Sequence, residues 1–215
     1  MKKKTIGRKS FHLEFKNSAQ KIAWSAFEQN EILFLLGAPG TGKTHLATAF
    51  AINEILSNKK SRIIITRPAV DAGEKLGFLP GDENQKVAPY LEPIFDCVSR
   101  LVGYDGPQRE IINKRMEISQ LAYMKGRTFC DAICILDEAQ NATYAQLKMY
   151  LTRLGDDSKI IITGDPKQSD LPGQVALLEV VERLKEEIGI GIVEFNHSSI
   201  VRHPLVAKIL KRLEK

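Results

Sequence analysis

The sequence predicts an α/β domain built on a parallel sheet with helices on both faces, and three observations carry that prediction. Five short apolar runs rich in β-branched residues recur along the chain, each readable as a strand buried on both faces. Segments of helical composition separate them, and this alternation implies parallel neighbours joined by right-handed crossovers. A length of 215 residues suits one such domain, because a chain of that size buries a sizeable core without dividing.

In chain order, strands are expected at Ile32 to Leu36, Arg62 to Thr66, Ala132 to Leu136, Lys159 to Thr163 and Gly189 to Phe195. Helices are expected at Ser18 to Glu28, Thr44 to Leu56, Gln108 to Met124, Ala142 to Leu154 and Gln174 to Glu187. Asn17, ahead of Ser18-Ala19-Gln20, is a capping candidate for the first helix, and Pro204 precedes a final amphipathic segment ending at Lys215. The connection from Asp71 to Gly106 is unusual in its length and its Gly and Pro content. A structured insertion that long in a compact domain usually serves a function.

Composition narrows the class. With 43% hydrophobic and 27% charged residues and a mean hydropathy of -0.18, the chain reads as globular rather than disordered or membrane-embedded. No apolar run reaches the roughly 20 residues that span a bilayer, and the N-terminus lacks a secretory signal's apolar stretch. A cytoplasmic location without a membrane partner is therefore expected. Cys97, Cys130 and Cys134 lack CxxC spacing, so neither a disulfide framework nor a zinc cluster is indicated, and buried thiols are expected. Lys and Arg number 31 against 26 Asp and Glu, with a positive cluster at Lys2, Lys3, Lys4, Arg8 and Lys9. Residues 1–10 thus read as a basic tail and 11–215 as the domain. Such a tail permits a polyanionic partner and equally suits a solvated chain end.

The chemistry concentrates after the first strand. Gly37-Ala38-Pro39-Gly40-Thr41-Gly42-Lys43-Thr44 matches GxxxxGK[ST] between a strand and a helix, the context a phosphate-binding loop requires. Backbone N–H groups of such a turn point at phosphate oxygens, and the helix N-terminus adds its partial positive charge. Lys43 is expected to neutralise the β- and γ-phosphates and the Thr44 hydroxyl to hold Mg²⁺. His45 closes this cofactor-binding segment as a helix residue with no chemistry of its own. By residue frequency the four fixed positions arise by accident in about one chain in a hundred of this length, and the strand-helix context makes accident rarer still.

Ile133-Cys134-Ile135-Leu136-Asp137-Glu138-Ala139-Gln140 is an apolar run ending in two carboxylates. Side chains alternate along a strand, so the two acids leave its end in different directions. Asp137 fits the Mg²⁺ water shell, and Glu138 fits a base that orients the attacking water. A kinase needs no such base, so Glu138 favours hydrolysis. The Lys159 to Thr163 strand runs into Gly164-Asp165-Pro166-Lys167-Gln168. If that strand neighbours the loop strand, the Gln168 amide comes near the γ-phosphate; a plain turn accounts for Gly164 to Pro166 as well.

With these motifs the sequence resembles the PhoH family, whose ATPase domain is similar to one motor domain of superfamily-one helicases. The resemblance runs from about Asn17 to Pro204, and its most specific segment is Gly73-Glu74-Lys75-Leu76-Gly77-Phe78-Leu79-Pro80-Gly81-Asp82, followed by Pro89-Tyr90 and Pro93. Thr66-Arg67-Pro68-Ala69-Val70, Met124-Lys125-Gly126-Arg127-Thr128-Phe129, Asp137-Glu138-Ala139-Gln140-Asn141 and Ser199-Ile200-Val201-Arg202-His203-Pro204 also match. The resemblance implies a single RecA-like P-loop NTPase domain. It implies that Gln20 recognises adenine, favouring ATP, and that Thr66-Arg67 lies beside a single-stranded nucleic-acid path. A translocating motor of that superfamily pairs two such domains, and this chain has room for one. Arg202 is then the candidate to reach a neighbouring subunit's γ-phosphate in a ring, which the resemblance suggests is a hexamer; a cis sensor or a surface salt bridge is the other reading.

The leading function is accordingly Mg²⁺-dependent ATP hydrolysis coupled to single-stranded RNA or DNA. Tyr90, Phe78 and Tyr104 are candidate base-stacking platforms, or packing residues. An ATP-dependent assembly switch with slow turnover is the alternative. A kinase with Arg109, Arg115 and Arg127 in a lid fits Glu138 and Gln168 less well.

Overall fold

The computed structural model describes residues 13–68, 83–168, 175–196 and 212, with the backbone alone for 83–91. Among these, strands β1 (Ile32–Gly37), β2 (Arg62–Arg67), β3 (Met116–Gln120), β4 (Ala132–Leu136), β5 (Lys159–Gly164) and β6 (Ile190–Phe195) form one sheet in the order β3-β2-β4-β5-β1-β6. Every pairing is parallel. The helices are α1 (Ser18–Gln29), α2 (Lys43–Leu56), α3 (Glu83–Val102), α4 (Pro107–Arg115), α5 (Tyr144–Leu151) and α6 (Ala176–Leu184).

The strands' two-residue period divides the core into two layers. Leu33, Leu35, Ile63, Ile65, Ile133, Ile135 and Ile161 face α1 to α4, whereas Phe34, Leu36, Ile64, Cys134, Leu136, Ile160 and Ile162 face α5 and α6. Because both faces are covered, β1, β4 and β5 read as continuous apolar runs rather than alternating ones. At the N-terminal end of α1 the Asn17 side chain accepts the Gln20 N–H at 3.0 Å, as its position predicts. At the other end the Lys159 ammonium donates to the carbonyls of Phe27 and Asn30, both at 2.7 Å. That cation satisfies acceptors a helix end leaves open.

Three expectations need correction. The run Gln108 to Met124 is not one helix: α4 stops at Arg115 and β3 follows as an edge strand. Its Glu117 forms a fork with the Arg127 guanidinium, and pairing with β2 supplies the backbone bonds that a continuing helix would have supplied internally. The last strand is not buried on both faces, since β6 is the opposite edge and Glu194 is exposed. Cys130 is exposed rather than buried, while Cys97 and Cys134 are buried.

Neighbouring connections leave β1 and β5 in opposite directions. From β1 the chain crosses through α2 to β2, and from β5 it crosses through α6 to β6 on the far side of β1. A crevice at the C-terminal ends of the strands results, which is where ligands bind in open parallel sheets.

Candidate functional site

A cavity of about 760 Å³ opens at those strand ends, a volume within the range that accommodates small-molecule ligands. Pro39, Gly40, Gly42, Lys43 and Thr44 line it from the glycine-rich loop, and Asp137, Glu138, Thr163 and Gln168 from the tips of β4 and β5. Gly37, at φ 138°, turns the chain out of β1 against β6, where an added Cβ would lie 2.1 Å from the Phe195 carbonyl oxygen. Gly42 takes φ 87° at the N-cap of α2, a left-handed conformation that glycine adopts without a Cβ penalty. The α2 N-terminus is thus brought to the cavity, where its first N–H groups can face an anionic ligand. Thr41 is buried and ties the loop internally, donating to the Ala38 carbonyl at 2.9 Å. The Lys43 ammonium donates to the Gly37 and Ala38 carbonyls at 2.6 and 3.0 Å.

Asp137 is the electrostatic centre of the site. It is 1% exposed, and its Oδ1 accepts from the Thr44 hydroxyl at 2.8 Å and from the Thr163 hydroxyl. Its Oδ2 accepts from Arg67 Nε at 2.9 Å and from a terminal guanidinium nitrogen at 2.5 Å. Burying a carboxylate this deeply is costly without such partners. Glu138 diverges from it because the chain has already left β4 at Leu136: it is exposed and left-handed at φ 55°, a conformation that a non-glycine residue holds at a cost. Its carboxylate accepts from Gln140 Nε2 at 2.6 Å, and Gln140 Oε1 accepts the Asp165 N–H at 3.1 Å. Gln140 therefore ties the second acid to the tip of β5.

β5 pairs directly with β1, the condition for Gln168 to reach the loop. Gln168 does line the cavity, and its own N–H closes a turn on the Asp165 carbonyl at 3.0 Å. Leu13, Lys16, Gln20, His45, Arg100 and Leu101 also line the cavity. Gln20 is 4% exposed, and its Oε1 accepts the Lys16 N–H at 2.7 Å. His45 lies 3.4 Å from Cys97 Sγ; desolvation first, then the charges of Lys16 and Arg100, hold its imidazole below the ordinary value of 6.5. Burial pushes the Cys97 thiol up to about 11, so the contact joins two neutral groups at neutral pH.

Of the residues the sequence nominated, Pro39, Gly40, Gly42, Lys43 and Thr44 of the loop converge on one cavity with Asp137, Glu138, Gln168, Gln20 and His45, whereas Gly37, Ala38 and Thr41 do not line it. Arg202 lies outside the described residues, as does Phe78, and the side chain of Tyr90 is likewise not described. Tyr104 is 76% exposed and is not part of the cavity lining. Thr66 is fully buried and the Arg67 guanidinium turns onto Asp137. Sequence reasoning assigned no role to Thr163, Gln140, Lys16 or Arg100, and none to Arg67 beside an acid. The available signal for Arg67 was register, since Thr66 pairs with Leu136 and the next residue of each chain segment is Arg67 or Asp137.

The donors that meet beside the loop are a hydroxyl and a carboxylate, oxygen ligands that suit Mg²⁺. Among the described residues no three His, Cys, Asp or Glu side chains are grouped to hold an ion unaided. Thr44 and Asp137 are thus the residues that would hold Mg²⁺ through a bound triphosphate and water.

The loop at β1, the acidic pair one strand beyond β5 and the all-parallel order define a RecA-like P-loop NTPase fold. A family model described as "PhoH-like protein" matches residues 12–214, and the chain belongs to the PhoH family. It is 47% identical over 213 residues to the PhoH-like protein of Bacillus subtilis, covering 98% of this chain and 67% of that protein. It is 44% identical to Protein PhoH of Escherichia coli, covering 91% of this chain but 56% of that protein; for the Synechocystis PhoH-like protein the identity is 44% and the share 62%. Among solved structures, the large terminase of a thermophilic bacteriophage aligns with a TM-score of 0.58 at 12% identity over 94% of this chain and 51% of the other. Another crystal form of that terminase, in complex with ADP, gives 0.56 at 14% identity, covering 92% and 50%. The Sulfolobus solfataricus SWI2/SNF2 ATPase core in complex with dsDNA gives 0.52 at 14% identity, covering 89% and 46%. These similarities establish the fold.

Proposed function

We propose that this chain is an ATPase that binds ATP with Mg²⁺ in the strand-end cavity and hydrolyses it, with turnover coupled to single-stranded RNA or DNA. The observation that carries the reading is the placement of Glu138 and the Thr44–Asp137 pair on the same cavity as the glycine-rich loop. The triphosphate lies along the loop amides and the α2 N-terminus, with Lys43 exchanging loop carbonyls for phosphate oxygens. Mg²⁺ bound there offsets phosphate charge. Glu138, once released by Gln140, accepts the proton of the attacking water, and Gln168 contacts the γ-phosphate. Gln20, at the end away from the phosphates, reads the adenine.

Coupling to nucleic acid rests on what the sequence motifs' resemblance to superfamily-one helicases implies and on the net charge of +5. A second reading, an ATP-dependent assembly switch with slow turnover, is favoured by one contact: the Gln140 amide holds the Glu138 carboxylate at 2.6 Å. Steady-state hydrolysis with and without single-stranded RNA and DNA separates the two. For the ATPase reading, turnover rises with one polymer, and Glu138→Gln loses at least ~100-fold while still binding nucleotide. Slow turnover indifferent to both polymers would establish the switch instead.

A further inference from the structure

We propose that Arg67 is the counter-cation of Asp137 inside the nucleotide site, so that the site accepts a triphosphate without a divalent cation and reserves the metal for hydrolysis. The inference rests on the nucleotide reading above and adds to it a residue that the glycine-rich loop and the acidic pair do not contain.

Arg67 ends β2 and Asp137 follows β4, neighbouring strands in register. The Asp137 N–H donates to the Thr66 carbonyl at 2.9 Å, which fixes the two backbones side by side. From there Arg67 Nε and a terminal guanidinium nitrogen both donate to the same Asp137 oxygen, Oδ2, at 2.9 and 2.5 Å. The other oxygen faces the hydroxyls of Thr44 and Thr163. The carboxylate is thereby divided: one oxygen belongs to the loop and the metal position, the other to a fixed positive charge.

This division bears on ligand entry. A triphosphate approaching the loop meets the Asp137 carboxylate, whose burial leaves water little room to screen it. With Arg67 in place the acid is neutralised at its own position and does not repel the γ-phosphate. Without Arg67 the buried charge loses its guanidinium partner, and a divalent cation arriving with the nucleotide has to offset it. Arg67 acts through Asp137 and is a positioning residue; its signature is the dependence of nucleotide affinity on metal.

The test is equilibrium binding of a fluorescent ATP analogue, measured with Mg²⁺ and with EDTA, for the wild type and for Arg67→Gln, Arg67→Lys and the double variant Arg67→Gln/Asp137→Asn. The wild type is expected to lose less than about tenfold in affinity on chelation, and Arg67→Gln to lose at least about tenfold more than that while binding Mg²⁺-ATP nearly as well as the wild type. Arg67→Lys keeps the charge and follows the wild type. The double variant removes both charges and regains the wild-type affinity in EDTA. Equal losses in both conditions, or a double variant that fails to recover, would overturn the proposal. If Arg67→Gln does not fold, Arg67→Lys and the double variant decide, since each must match the wild type in EDTA. A wild type that binds in neither condition would instead overturn the nucleotide reading itself.

Discussion

Glu138 is tied to the tip of β5 by two contacts that run past a glycine. Gln140 bridges the Glu138 carboxylate and the Asp165 N–H, and it fits because Gly164 has no side chain. A Cβ at Gly164 would lie 2.7 Å from Leu177 Cδ2, closer than real Cβ atoms come, and 3.0 Å from Gln140 Oε1, tight enough that the amide must shift by a few tenths of an ångström. In Gly164→Ala the Gln140 side chain has to give way, and Glu138 and Asp165 lose their link together. The loop, Lys43 and Gln20 are untouched, so nucleotide affinity should stay within about twofold. Turnover should fall roughly tenfold, because misplacing a water-orienting group costs rate rather than binding. Steady-state hydrolysis beside nucleotide titration checks this, and unchanged turnover would show that Gln140 does not position Glu138. At this scale the sequence was legible where chemistry is local. The loop and the two acids announce themselves by spacing, but the parts Arg67, Gln140 and Thr163 play depend on which strands lie side by side.

Elements were legible in proportion to how far burial alone decides them. β1, β4 and β5 are central, apolar throughout and covered on both faces, so each reads as a strand without knowledge of its neighbours. β3 is an edge of Met116-Glu117-Ile118-Ser119-Gln120, partly buried at every position, and nothing within those residues distinguishes it from a continuation of α4. Pairing with β2 decides it, a tertiary effect that overrides local preference. Helix ends follow capping rather than apolar content: α5 begins at Tyr144, not Ala142, because Thr143 is its N-cap. The Thr143 hydroxyl accepts the Gln146 N–H at 3.2 Å, and Gln146 Oε1 accepts the Thr143 N–H at 2.8 Å. Thr143→Ala removes the hydroxyl half of this capping box and should cost about 1 kcal/mol. In a chain of this length that lowers the melting temperature by about 2–4 °C, measurable by thermal unfolding, with nucleotide binding retained because Thr143 does not line the cavity.

The whole molecule raises the question of what completes the site. Among the described residues Arg67 is engaged by Asp137, and Arg100 stands on the rim close enough to His45 to influence its titration. Neither is placed as an arginine finger, the group that stabilises charge on a transferring phosphate. Arg202 is the arginine we propose for that role, donated to a neighbouring copy in a head-to-tail ring, for which a hexamer is the working number. The curated relatives are longer, this chain spanning 59% of the Mycobacterium tuberculosis PhoH-like protein, so ring assembly and nucleic-acid coupling are to be tested on this chain directly. Lys43→Ala should lose nucleotide binding and retain Arg202, whereas Arg202→Ala should bind nucleotide and turn it over slowly. Each alone is impaired for a different reason, and a mixed ring can pair the sound half of one with the sound half of the other. At equal proportions about a quarter of interfaces join an intact nucleotide site to an intact arginine, so activity should return to about a quarter of wild type. An arginine acting in cis gives no such recovery, because every subunit carries its own defect. Hydrolysis by the mixture, set against each variant alone, therefore decides whether the catalytic unit is one chain or the boundary between two.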